Sequence, residues 1–146
     1  MIVRVSWVFG PDRPSFIDAI LKKARDVEAI SAVADKYATP TYTLDICVLL
    51  KPFITDRQEA GLLHLANSGE CSWQEYAQWA LDCCHAEGLP MKARKVGATS
   101  LADMKNFIAK RPVYSVLSSE KYQRATGQTP RHWRDAVAEY VRNYLR

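Results

Sequence analysis

The sequence contains no apolar run long enough to cross a membrane, which takes roughly 20 consecutive apolar residues. The apolar run at 47–50 is followed at once by Lys51 and Pro52. A signal peptide is not indicated either, because Arg4 interrupts the first apolar stretch. With 48% hydrophobic and 25% charged residues among 146, the composition is that of an ordinary globular protein, and a single domain over residues 1–146 is expected.

Histidine and cysteine are too few and too poorly spaced to indicate a metal site or a nucleophilic centre. Cys83, Cys84 and His85 are consecutive and lack the separation between cysteines that closes a tetrahedral zinc site. His64 and His132 stand at no motif spacing from a serine or cysteine nucleophile. We therefore predict no metal. The four cysteines are expected to be reduced thiols that pack as small apolar side chains, as is typical of a cytoplasmic protein.

Acidic residues are slightly outnumbered, and the formal net charge is +4. This mild excess suits an anionic ligand, although a solvated surface of mixed charge explains it equally well. The C-terminal third mixes basic residues with Tyr114, Tyr122 and Trp133, as stacking platforms for nucleic acids do, but it contains no RNA or DNA motif. We predict neither a nucleic-acid partner nor a membrane partner.

Cap and turn residues predict strands and helices that alternate along the chain. Residues 2–9 and 61–66 are typical of strands buried on both faces. Capping boxes at 15–18 and 72–75 predict the starts of two helices. This alternation predicts the α/β class with parallel strand pairing. Shorter expected elements are a β-prone run at 29–34, a helix that starts at Thr43 and ends before Pro52, and a strand at 93–96.

Residues 111–133 carry the densest set of local signals in the chain. Pro112 restricts its own backbone and that of Arg111 to extended conformations. The tract then predicts, in order, a short strand over 113–117, a helix capped by Ser118 and Ser119 and ended at Gly127, and a closing helix with Thr129 as N-cap and Pro130 in its first turn.

This tract resembles the C-terminal end of the dTDP-4-dehydrorhamnose reductases, nucleotide-sugar enzymes of the extended short-chain dehydrogenase/reductase superfamily. Their chains end with R-P-x-x-S-x-L, a short helix, T-G and then P-x-W-x-x-A-[LV]. The matching residues here are Arg111-Pro112, Ser115, Leu117, Lys121, Thr126-Gly127, Pro130, Trp133 and Ala136-Val137. Residues 4–10 (R-V-S-W-V-F-G), 39–45 (T-P-T-Y-T-L-D) and 64–73 (H-L-A-N-S-G-E-C-S-W) resemble further segments of the same family in the same order.

The resemblance implies the C-terminal part of a Rossmann-type extended short-chain dehydrogenase fold. Residues 2–9 and 61–66 would be its last parallel strands, and the remainder would be the small substrate-binding lobe. The implied parent reaction is the reduction of dTDP-4-dehydro-L-rhamnose to dTDP-L-rhamnose by NADPH or NADH. The family's glycine-rich dinucleotide loop and its catalytic Tyr-x-x-x-Lys pair are both missing from this sequence, so we expect a fragment with no cofactor site and no catalytic residues.

Three candidate substrate contacts follow from the resemblance, each with a plainer alternative. Trp7 matches the family's R-x-S-W motif and would contact the nucleotide sugar with its flat apolar face, unless it is simply a core tryptophan. Arg111 would bind diphosphate oxygens bidentately, or it forms a salt bridge that positions its loop. Thr41 would belong to a ligand loop or to a rigid turn. Trp73 and Trp133 are expected to pack in the core.

Other functional classes stay open beside the reductase. A sister nucleotide-sugar epimerase or 4-ketoreductase would share these motifs. The superfamily fold also occurs in a non-catalytic regulatory subunit, so a regulatory or interaction protein is a second alternative. Without the N-terminal half, the incomplete sheet would leave exposed edges and faces, which favours strand exchange, aggregation or association into a homodimer.

The 146-residue chain alone is expected to oxidise no NADPH, because the sequence lacks the groups that hold and use the cofactor. Loss of NADPH absorbance in the presence of a 4-keto nucleotide sugar measures this, with a full-length reductase as positive control. Turnover above the rate without protein would contradict the expectation.

Overall fold

Short strands and longer helices alternate along the computed structural model, which describes residues 1–55, 61–104, 109 and 111–145. In chain order the elements are β1 (Ile2–Arg4), β2 (Val8–Phe9), α1 (Phe16–Asp26), β3 (Ala29–Val33), β4 (Tyr37–Ala38), β5 (Thr41–Tyr42), α2 (Thr43–Thr55), β6 (Leu62–His64), β7 (Cys71–Ser72), α3 (Trp73–Ala86), β8 (Lys95–Thr99), a 3₁₀ turn (Leu101–Asp103), α4 (Glu120–Thr126) and α5 (Trp133–Tyr144).

Parallel pairing prevails among the described strands. β1 pairs with β6, β2 with β5 and β3 with β8, all in parallel, and β4 pairs with β7 in the antiparallel sense. The longest ladder joins β3 to β8, from Ala29 opposite Lys95 to Val33 opposite Thr99. The predicted α/β class with parallel pairing is confirmed.

The strand predicted over residues 2–9 is interrupted, and that prediction is wrong in this respect. β1 ends at Arg4 and β2 begins at Val8. Between them Trp7 has a φ of 38°, in the left-handed region that a bulky residue rarely adopts. An extended strand cannot pass through that conformation, so the backbone turns at Trp7. The second predicted strand, over 61–66, is present as β6.

Both predicted capping boxes are formed. The N–H and the hydroxyl of Ser15 donate to Asp18 Oδ2 at 2.7 and 2.8 Å. Ser72 N–H donates to Glu75 Oε2 at 2.7 Å, and Ser72 Oγ accepts from Glu75 N–H at 3.1 Å. The Tyr140 hydroxyl also donates to Asp18 Oδ1 at 2.6 Å, which ties the start of α1 to α5. Local sequence signals therefore determine where α1 and α3 begin.

The predicted start of the closing helix is wrong. α5 begins at Trp133 and not at Pro130. The intervening backbone pairs with a distant loop instead, since Ser68 N–H donates to the Arg131 carbonyl at 2.8 Å and Ser68 forms a β-bridge with His132. These tertiary bonds override the local start signal. His132 is the N-cap, and its Nδ1 accepts from the backbone N–H of the second helical residue.

Two further predictions fail for similar reasons. Residues 113–117 form no strand, because only Tyr114 pairs, in a single bridge to Tyr37. α2 does not end before Pro52 but continues to Thr55. Phe53, which follows the proline, is buried in a small core cluster, and this packing keeps the chain helical beyond it. α4 ends as predicted, at Gly127 with φ of 67°.

The main core surrounds α3, which packs on α1, α5, β3 and β8. Trp133 is fully buried there, as predicted. A second cluster, which we call the β6 cluster, joins α2, α4 and β6 and consists of Leu49, Phe53, Leu63, Leu65 and Tyr122. All four cysteines are free, and Cys71 and Cys84 are buried. In the described ranges no helix is long and apolar enough to span a membrane, and no three His, Cys, Asp or Glu side chains are grouped to hold a metal ion.

Gly69→Ala should destabilise the fold more than Gly88→Ala, although both glycines have a positive φ, of 84° and 72°. An added Cβ at Gly69 would lie 2.3 Å from His132 Nε2 and 3.0 Å from Trp133 Cδ1, whereas nothing lies within 4 Å of one at Gly88. We expect Gly88→Ala to lower the unfolding free energy by about 1–2 kcal/mol, because the alanine must adopt a positive φ. Gly69→Ala should cost roughly 1–3 kcal/mol more, because packed neighbours must move.

Urea midpoints of the two variants measure the difference in unfolding free energy. Equal losses of unfolding free energy in the two variants would show that the neighbours of Gly69 add no cost to the substitution.

Candidate functional site

The backbone turn at Trp7 directs its indole out of the strand direction. The Trp7 carbonyl accepts the N–H of Thr41 at 3.1 Å, and Val8 pairs with Thr41 where β2 meets β5. The half-buried indole lies edge-on to Trp73, with ring centroids 5.7 Å apart, and stacks on Tyr76 at 6.3 Å. Backbone pairing and ring contacts thus hold Trp7 in one orientation.

A cleft of about 350 Å³ opens on one side of this indole. It brings together residues from four distant parts of the chain. Its lining residues are Trp7, Lys36, Trp73, Arg111, Pro112 and Ser115. Two of the three predicted contacts, Trp7 and Arg111, therefore lie in one cleft.

A smaller and more apolar cavity of about 100 Å³ adjoins the cleft at Trp7 and Trp73. Its other walls include Phe16 and Tyr76. Burial raises the pKa of Tyr76 well above its usual value, so the phenol stays neutral. This cavity suits an apolar group and offers no charge to a ligand.

The cationic side of the cleft is a loop fixed to β4. The N–H and hydroxyl of Ser115 both donate to the Tyr37 carbonyl, at 2.9 and 3.1 Å. Lys36 is a buried residue, and its ammonium donates to the carbonyl of Pro112. Burial, and next the positive charge of Arg111, lower the pKa of Lys36. Arg111 itself is exposed at the mouth of the cleft.

Thr41, the third predicted contact, does not line either cavity. Its side chain is fully buried, and its hydroxyl donates at 3.4 Å to the Thr39 carbonyl. Its N–H supports Trp7 through the backbone bond already described. The structure therefore places Thr41 behind the cleft, and its contact with a ligand stays a prediction.

Two lining residues escaped the sequence-based reasoning. Trp73 was expected in the core, but it is only half-buried and forms a wall of the cleft. Its position directly after the Ser72 cap was the available signal, because first-turn side chains lie at a helix end. Lys36 gave a weaker signal, as a lone lysine before the short strand β4. Its burial depends on contacts with a loop 76 residues away, which no local pattern reveals.

A partly buried polar network joins further elements of the fold. Asn67 Oδ1 accepts from Tyr42 N–H at 2.9 Å, and Asn67 Nδ2 donates to Asp45 Oδ2 at 2.6 Å. The Arg131 guanidinium binds the same carboxylate at 2.9 Å and also pairs with Glu139. The network joins the junction of β5 and α2 to the segment that leads into α5.

Parallel strand pairs packed against helices, with an aromatic and cationic cleft beside them, are what a part of a Rossmann-type α/β protein would show. Similar solved structures place the fold in the extended short-chain dehydrogenase/reductase class. The dTDP-4-dehydrorhamnose reductase of Bacillus anthracis in complex with NADP is 27% identical, with a TM-score of 0.82 over 95% of this chain and 46% of that chain. The Clostridium acetobutylicum reductase is 25% identical, with a TM-score of 0.82 over 99% of this chain and 48% of that chain.

The chain belongs to the family of the RmlD substrate binding domain, whose sequence model matches residues 1–146. It is 35% identical over 141 residues to the spore coat polysaccharide biosynthesis protein SpsK of Bacillus subtilis, covering 96% of this chain and 46% of that protein. It is also 35% identical over 142 residues to a dTDP-4-dehydrorhamnose reductase of Mycolicibacterium smegmatis, covering 96% and 41%. The chain thus spans less than half the length of these relatives, and the resemblance seen in its motifs is confirmed.

The residues of this chain do not fit a dinucleotide, although the Bacillus anthracis relative is a complex with NADP. A dinucleotide's pyrophosphate sits on a glycine-rich loop that opens a helix. The six glycines here are dispersed, and no helix in the described part of the chain begins at such a loop. The described residues therefore offer a dinucleotide no loop of this kind.

Proposed function

We propose that residues 1–146 form one substrate-binding unit of an NAD(P)H-dependent dTDP-4-dehydrorhamnose reductase. The parent reaction would be the reduction of dTDP-4-dehydro-L-rhamnose to dTDP-L-rhamnose. The observation that carries the proposal is the shared cleft, in which Trp7 and Arg111 lie together. Membership of the family and the names of the relatives support the choice of nucleotide sugar.

Each of the two residues has a distinct task in this proposal. The indole of Trp7 offers a flat apolar face to the sugar or base, and Trp73 stiffens it from the side. The guanidinium of Arg111 forms paired hydrogen bonds to diphosphate oxygens. The volume of about 350 Å³ lies within the range of roughly 300–1,000 Å³ that small-molecule sites occupy.

The chemistry itself would come from groups that this sequence does not contain. NADPH or NADH supplies the hydride in such reductases, and the Tyr-x-x-x-Lys pair supplies the proton. This chain binds and orients the sugar nucleotide. Its free thiols support a reducing compartment, and we propose the cytoplasm. A non-catalytic nucleotide-sugar-binding subunit is the alternative, since it would use the same cleft.

dTDP should bind the 146-residue chain, and calorimetry together with tryptophan fluorescence measures its affinity. Trp7→Phe and Arg111→Met should each weaken binding roughly tenfold, the loss of one good contact. Trp79→Phe is the matched control, because the Trp79 indole N–H donates to the Arg134 carbonyl and does not line the cleft. Thr41→Val tests the third predicted contact, because it removes only the buried hydroxyl, and an unchanged dTDP affinity would contradict that contact. Failure of the unaltered chain to bind dTDP would overturn the proposal.

A homodimer through the outer face of the β1–β6 pair is a further part of the proposal. Ile2 and Leu62 are opposite each other in this parallel pair, and they are 68% and 39% exposed. Adjacent exposed apolar side chains favour association. Leu62→Lys should therefore shift the protein to monomer in sedimentation experiments. Val27→Lys is the control, since Val27 is equally exposed, at 39%, but lies after α1. A monomeric unaltered chain would contradict the dimer.

A further inference from the structure

We propose that Lys36 is a further ligand-binding residue, and that its ammonium and the Arg111 guanidinium together hold the diphosphate of the nucleotide. The inference rests on the proposed function and deepens it, because it assigns a second cation to the same cleft. It also gives the cleft a preference for two linked phosphates over one.

Lys36 is unusual in being buried without a compensating charge. Only 7% of its surface is exposed, whereas lysine is almost never buried unless it is paired. Its hydrogen-bond partner is a neutral carbonyl, that of Pro112. The adjacent carboxylate of Asp35 is engaged elsewhere, with the Ser100 hydroxyl at 2.6 Å and the Leu101 N–H at 2.7 Å. Within the described ranges no carboxylate forms an ion pair with Lys36.

The charged group that acts on Lys36 is another cation, the Arg111 guanidinium. After burial, the positive charge of Arg111 is the cause that lowers the pKa of Lys36. Both side chains line the same cleft. Two cationic side chains therefore face one cavity. A ligand that carries two linked negative charges can contact both of them, and a diphosphate meets that requirement.

The hydrogen bond from Lys36 to Pro112 sets the relative position of the two cations. Pro112 directly follows Arg111, so this bond attaches Lys36 to the loop that carries the guanidinium. An ammonium has three N–H donors. One is used by the carbonyl, which leaves others to reach a phosphate oxygen in the cleft. Ser115, bonded to Tyr37, holds the far end of the same loop.

A purely structural role and a ligand-binding role for Lys36 predict different effects of Lys36→Met on stability. If the ammonium mainly secured the loop, Lys36→Met would lower the melting temperature. If it is an uncompensated charge kept for a ligand, Lys36→Met removes a buried charge and should leave the melting temperature equal or higher. Binding and stability then change in opposite directions, which a structural lysine would not produce.

The test compares the affinities of dTDP and dTMP for the unaltered chain, Lys36→Met and Lys36→Arg by calorimetry. We expect Lys36→Met to weaken dTDP roughly tenfold, the worth of one charge-assisted hydrogen bond, and to change dTMP by less than about threefold. Lys36→Arg keeps the charge and should retain most of the dTDP affinity. The melting temperature of each variant, measured without ligand, separates lost binding from lost folding.

Three outcomes would overturn the inference, and they differ from failure of the proposed function. If the unaltered chain binds dTDP and Lys36→Met binds it equally well, or weakens both nucleotides alike, Lys36 does not hold the second phosphate. If the unaltered chain does not bind dTDP, the proposed function fails first. Inorganic pyrophosphate then tests the cation pair directly: binding that Lys36→Met abolishes supports the pair, and absence of binding overturns it.

Discussion

The left-handed backbone at Trp7 is the constraint on which the site depends. A continuous strand from β1 to β2 would have kept this side chain in the alternation of the sheet. The turn costs about 1–2 kcal/mol for a residue with a Cβ, and such costs persist only where neighbours fix the conformation. Here the Thr41 N–H fixes the carbonyl, while Trp73 and Tyr76 fix the indole. The strained backbone at Trp7 thus gives the cleft a wall whose orientation is fixed.

The cleft also shows how a site can be built by assembling loops on a parallel framework. Its walls come from the break between β1 and β2, the segment before β4, the start of α3 and the loop that begins at Arg111. Apart from Trp73, the first residue of α3, the lining residues lie outside the helices and strands. The core around α3 fixes the points from which they leave. Binding residues on short loops between rigid elements keep their geometry without occupying the core.

Sequence reasoning succeeded where the signal and its partner are close in the chain. The caps at Ser15 and Ser72 and the stop at Gly127 are local, and each stands where it was predicted. It failed where the local structure depends on a partner that is distant in the chain. Ser68 forms hydrogen bonds with the backbone before α5, and the Tyr37 carbonyl accepts the N–H of Ser115. The start of α5 and the absence of a strand at 113–117 therefore do not follow from the local residues.

The same distinction applies to the site. Trp7 and Arg111 were found because the sequence keeps recognisable motifs around them, although nothing local placed them in one cleft. Trp73 ends the 64–73 motif, but it was assigned to the core, and Lys36 belongs to no motif that the sequence analysis recognised. Their role depends on what packs against them, and burial by a remote loop cannot be inferred from composition or periodicity. Whether a charged side chain in the cleft has an opposite charge beside it is therefore visible only in the folded structure.

The β6 cluster has a consequence for how the protein opens. Its five side chains pack with one another across α2, α4 and β6, apart from the larger core around α3. Small clusters of this kind form cooperative units that unfold at a lower free energy than the main core. Trp7 and Trp73 pack against the main core. The aromatic wall of the cleft and the residues behind the β1–β6 pair therefore belong to different clusters, so local opening of one does not by itself require opening of the other.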